Sequence, residues 1–90
     1  MLLEFDEGKR DKTLAERGLD FAQAGEVFAG RHLTAEDLHE ACTEPRFITT
    51  GLLAGRLVVL VWTPRRESRR VMSMRKANDR EQARHAGRMD

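Results

Sequence analysis

Tyrosine is absent from these 90 residues, tryptophan and cysteine occur once each, and proline occurs twice. Without a phenol, any proton transfer here falls to Glu, His, Lys or water. A lone Cys42 excludes an internal disulfide and fits a reducing compartment. No apolar run approaches the 18 residues of a membrane-spanning helix. The start, Met1-Leu2-Leu3-Glu4, turns acidic at once and lacks a basic leader, so no signal peptide is expected and the location implied is cytoplasmic. Net charge is also nearly absent, at +1.

That small net charge hides a division. Residues 1–44 carry 5 Lys and Arg against 11 Asp and Glu, whereas residues 45–90 carry 11 against 4. Such a split suggests a basic surface for a polyanion; mutual neutralisation of the two halves across the fold is the alternative. The longest apolar stretch is Leu57-Val58-Val59-Leu60-Val61-Trp62, bounded by Gly55 and Pro64. Short and rich in β-branched residues, it reads as a strand buried on both faces. It delivers the chain into Arg65, Arg66, Arg69, Arg70, Arg75 and Lys76. A chain this short is a single domain, 1–90, burying roughly 60% of its unfolded surface.

A first strand is expected over Leu2–Phe5. Asp6 then caps a helix that runs to about Arg17 and stops at Gly18. Asp20 and Gln23 have capping-box spacing for a second helix, which Leu19 staples onto Ala24 and which ends at Gly30. Residues 31–45 read either as a helical turn opened by Thr34 and Asp37 or as a strand and loop. From Arg46 the period is that of a sheet, with Ala54-Gly55 turning into the central strand. A loop over Pro64–Ser68 precedes a third strand, Arg69–Arg75. Asn78 and Glu81 form a last capping box, and the helix beyond offers only Ala83, Ala86 and Met89 to a core. The order predicts an α+β fold with an antiparallel sheet, two N-terminal helices and a C-terminal helix.

Four segments taken in order resemble the BrnT family of bacterial toxin–antitoxin systems. They are Phe5-Asp6-Glu7-Gly8-Lys9, Glu16-Arg17-Gly18-Leu19-Asp20-Phe21-Ala22-Gln23-Ala24, and Glu44-Pro45-Arg46-Phe47-Ile48-Thr49-Thr50-Gly51. The fourth is Thr63-Pro64-Arg65 followed by Arg70-Val71-Met72-Ser73-Met74-Arg75-Lys76-Ala77 and Glu81. The resemblance implies a RelE-like ribonuclease that stops translation. It also implies a BrnA-like ribbon-helix-helix antitoxin that binds the toxin and, through its own DNA-binding domain, the operator. Three positions depart from the family pattern: Trp62 stands where His is usual, Arg17 where the interhelix joint has His, and His85 where the last helix has Tyr.

RNA is cut without metal when its own 2′-OH attacks the adjacent phosphorus, so no cofactor is expected. The protein must hold the phosphate, stabilise charge on its oxygens and move protons. Arginine suits the first two tasks because its planar fork binds phosphate oxygens in pairs. Strand alternation puts Arg75 with Ser73, Val71 and Arg69, and Arg70 with Met72 and Met74 on the opposite face, the methionines as core filler. Arg75 and Arg46 are the expected catalytic pair, with Glu44 as candidate base. Lys9, Arg65, Arg70 and Lys76 are expected along the RNA backbone. Arginines at strand ends are also commonly solvated rims or carboxylate partners. His85 is either a general acid or an exposed side chain without a task. His32, His39 and Cys42, with Glu36 and Glu40, fall short of a four-ligand zinc set, so no metal is expected. Trp62 reads as core packing before base stacking. The rival function class is a basic binding module that holds nucleic acid or an acidic partner and cuts nothing.

Overall fold

The computed structural model describes residues 2–37 and 44–89. Its elements are β1 (Leu2–Glu4), α1 (Glu7–Arg17), a 3-10 turn (Phe21–Gln23) leading into α2 (Ala24–Ala29), β2 (His32–Asp37), β3 (Arg46–Leu53), β4 (Arg56–Arg65), β5 (Ser68–Lys76) and α3 (Asp79–Met89). The strands form one sheet in the order β1-β5-β4-β3-β2. The apolar run therefore occupies the central strand. Val58, Val59 and Leu60 are 0%, 3% and 0% exposed, so consecutive residues are buried on opposite faces.

The sheet is mixed rather than antiparallel. β2 to β5 follow one another as antiparallel neighbours, but β1 pairs parallel with β5, Leu2 opposite Ser68 and Glu4 opposite Arg70. Residues 5–67 lie between these two strands, so no hairpin constrains their relative direction. Of residues 31–45, His32–Asp37 form a strand, β2, paired along its length with β3, while residues 38–43 lie outside the described residues.

Local signals explain the helix ends. The Asp6 side chain accepts from the Lys9 N–H at 2.9 Å, and Gly18 closes α1 with φ of 70°. The second helix begins differently from the capping-box expectation. The Asp20 carboxylate accepts from Ala22 N–H and from Arg10, and Phe21–Gln23 tighten into a 3-10 turn before a short α2. α1 buries no side chain fully. It is tied instead by the Arg10–Asp20 fork and by Arg17, whose guanidinium donates to the Met74 carbonyl at 2.8 Å.

Ala54 and Gly55, with φ of 51° and 81°, make the tight turn between β3 and β4. The next connection is shorter than the expected Pro64–Ser68 loop. Pro64 stays in β4 opposite Arg69, and only Arg66-Glu67 lie outside the strands. Proline is tolerated there because β3 has already ended at Arg46, with no β3 residue opposite Pro64.

The core lies between the helices and one face of the sheet: Leu19, Phe21, Ala24 and Val27 pack with Leu53, Val58, Leu60, Trp62, Val71 and Met74. α2 crosses β3 at Gly51, where a Cβ would stand 2.8 Å from Val27 Cγ1. Trp62 is 9% exposed and donates to Thr49 Oγ1 at 2.8 Å, so it is a core residue.

Candidate functional site

A bulge in β5 decides which arginines share a face. Val61 is opposite Ser73, but Trp62 is opposite Val71, so Met72 is the extra residue. Directly opposed residues share a face. Val71 and Met74 therefore both join the core side with Arg69, while Arg70, Ser73 and Arg75 share the other side with Val59 and Val61. This corrects the simple alternation, which set Arg70 apart from Arg75 and grouped Arg69 and Val71 with it. A uniform period of two does not survive an inserted residue.

On that second face, Arg75 meets α3. Its Nη1 and Nη2 donate to the two Glu81 carboxylate oxygens at 2.7 and 2.8 Å. Glu81 also completes the reciprocal cap with Asn78, accepting the Asn78 N–H at 2.9 Å while its own N–H donates to Asn78 Oδ1 at 2.8 Å. The charged fork and the cap N–H hold the Glu81 carboxyl down at about 2. It is therefore ionised and a poor base at neutral pH. The same fork raises Arg75 above its ordinary value. Glu81 leaves the Arg75 Nε hydrogen and the outer Nη2 hydrogen for another acceptor.

Beside this pair, a recess of about 360 Å³ opens between α3 and the β2–β3 face. Leu33, Ala35, Ile48 and Thr50 line it from the sheet, and Arg84 and His85 from the helix. His85 is not an exposed side chain. It is 9% exposed, and its Nδ1 is buried with no hydrogen-bond partner among the described residues.

The other expected catalytic residues gather elsewhere. Arg46 pairs with Asp37 of β2 at 3.2 Å, and its Nε is buried with no hydrogen-bond partner among the described residues. Glu44 pairs with Arg65 at 3.3 Å. Arg75 is opposite Val59, which is opposite Thr50, four positions along β3 from Arg46. At the usual strand rise and spacing their Cα atoms are about 16 Å apart. Arg75 and Arg46 thus hold different carboxylates, Glu81 and Asp37, on separate parts of the sheet.

Arg65 and Arg70 line a wider groove of about 870 Å³ with Leu2, Glu4 and the hairpin tip. Lys9 borders a cleft between α1 and β5, with Lys12, Met72 and Ser73. Lys76 lies in a shallow groove with Arg56 and Gln82. Among the described residues no group of three or more His, Cys, Asp or Glu converges on a metal position. His39, Glu40 and Cys42 of the zinc reading lie outside the described residues.

In the sequence Glu81 stands out as a cap and a family-like position, Thr50 only as a strand residue, and Arg84 not at all. A signal was available. Glu81, Arg84 and His85 fall at i, i+3 and i+4, which sets them on one helix face. The capping box had already placed Glu81 just beyond the end of the strand that carries Arg75.

A family model described as the ribonuclease toxin BrnT of type II toxin–antitoxin systems matches residues 5–81. That span includes Arg75 and Glu81 and ends before Arg84 and His85. Comparison with curated proteins gave no match.

Proposed function

The chain belongs to the BrnT family of ribonuclease toxins of type II toxin–antitoxin systems, and from that membership we propose that it cuts RNA without a metal, at the α3 face of the sheet. The observation that carries this placement is the convergence of Arg75, Arg84 and His85 on one recess. Two guanidiniums there can hold a phosphate and stabilise the charge that grows on its oxygens as the 2′-OH attacks. The products would be a 2′,3′-cyclic phosphate and a 5′-hydroxyl end. We assign to His85, which lines the same recess, the exchange of a proton with the reacting oxygens. Arg46 and Glu44, already paired and distant from Arg75, are assigned to the path of the strand together with Lys9, Arg65, Arg70 and Lys76.

Family membership implies an antitoxin partner and an RNA substrate. We assign the partner as a BrnA-like ribbon-helix-helix protein that contacts operator DNA itself. We further assign a RelE-like fold type, arrest of translation and action in the cytoplasm. No described helix is long and apolar enough to cross a membrane.

One observation favours a binding module instead: Glu81 already fills the Arg75 fork. Expression without the partner separates the two readings. Growth arrest with shortened cellular RNA supports the nuclease; normal growth and intact RNA, with folded protein present, support the module.

A further inference from the structure

We infer that the recess between α3 and β2–β3 is a subsite for one unstacked nucleotide of a single-stranded RNA. Its size is the first ground. About 360 Å³ lies near the lower end of small-ligand sites, suited to a single nucleotide and too small for a base pair. A base can enter only after leaving its stack, as in unpaired RNA.

The lining is the second ground, because it divides by chemistry. Leu33, Ala35 and Ile48 give an apolar wall for the flat face of a base. Thr50 adds a hydroxyl that can donate or accept at the base edge. Arg75 and Arg84 supply the charge for the attached phosphate, and the single carboxylate on the wall, Glu81, is held by Arg75 and its own cap. The walls thus keep an excess of positive charge.

His85 is the third and independent ground. A side chain this buried is normally hydrogen-bonded, yet its Nδ1 has no partner among the described residues. A nucleotide brings both donors and acceptors, and an imidazole turning about its bond to Cβ can meet either.

The ribonuclease reading enters only as the reason that RNA is the source of the nucleotide. The test is a titration of the full chain, followed by amide NMR, with each of the four nucleoside 3′-monophosphates and matching trinucleotides; inorganic phosphate is the control. At least one mononucleotide should shift the Ile48 and Thr50 signals saturably, and a trinucleotide containing it should compete for the same site. Ala35→Trp, at an exposed edge-strand position that tolerates bulk, should weaken this binding by about tenfold or more. Thr50→Val should change which of the four bases binds best.

No shifts at these residues, shifts confined to the Arg65–Arg70 groove, or equal binding of bare phosphate would overturn the subsite. So would a mononucleotide that no trinucleotide displaces, which would mark a site for free nucleotides. RNA cleavage without nucleotide binding in the recess overturns the subsite and leaves the nuclease standing. Nucleotide binding there without cleavage supports the subsite and removes the nuclease.

Discussion

Arg75 and Glu81 form the tightest described ion pair on the sheet face proposed to meet RNA, and the pair sets conditions on what Arg75 can do. A phosphate that takes the whole fork must displace a carboxylate of matching geometry. Glu81→Gln removes the competing charge while keeping an oxygen for the Asn78 N–H. RNA should then bind more tightly, by roughly three- to tenfold as read by fluorescence anisotropy. The same pair makes a pH prediction. The Glu81 carboxyl lies at about 2 in the fold against an ordinary 4.5. Its stabilising contribution is therefore complete above about pH 4.5 and fades as pH falls towards 2. Carboxylate NMR of Glu81 should show a midpoint near 2, and the Glu81→Gln variant should lose this share of acid sensitivity. A midpoint at the ordinary value would mean that the Arg75 fork is not made in solution.

At the scale of elements, two positions limit how well the sheet can be built. Gly51 lets α2 approach β3, and a Cβ there would meet Val27 Cγ1 at 2.8 Å and the His32 Cβ at 3.0 Å. Gly51→Ala should destabilise the protein by about 1–3 kcal/mol in denaturant unfolding, as other overpacked cores do. Ala54 holds φ of 51° in the β3–β4 turn, a conformation costly for a residue with a Cβ. Ala54→Gly should raise stability by up to about 1 kcal/mol, with no loss of RNA binding. Both changes concern local geometry, and they differ in how far the sequence announced them. Ala54-Gly55 between two strand-patterned runs is a turn signal legible residue by residue, as were the Asp6 cap, the Gly18 stop and the Asn78–Glu81 box. Gly51 reads from sequence as one more strand residue, because its need for no side chain comes from α2. The bulge at Met72 was equally hidden: it depends on how β5 meets Trp62, and it moves Arg70 to the face of Arg75. The parallel pairing of β1 was illegible for a related reason, since no local turn fixes it.

Across the whole molecule, the split between an acidic and a basic half proves partly structural. Asp37–Arg46 and Glu44–Arg65 join the two halves at one end of the sheet, as the neutralisation reading expects. Arg75 is held within its own half by Glu81, and no ion pair is described for Arg66, Arg70 or Lys76. Arg66, Arg70 and Lys76 lie in the grooves beside the proposed site, and within the recess neither Arg75 nor Arg84 has a described ion pair with the acidic half. Composition could locate the charge along the chain, but only the fold shows which arginines remain for a ligand. That separation makes Arg75 the residue on which the account turns. The most direct measurement is the rate at which purified protein cuts a single-stranded RNA in the presence of EDTA, compared between wild type and Arg75→Ala. The account predicts cleavage unaffected by the chelator in the wild type, cyclic-phosphate ends, and a loss of about 10²- to 10³-fold in the folded variant. Cleavage that EDTA abolishes, or that Arg75→Ala performs at the wild-type rate, would contradict it.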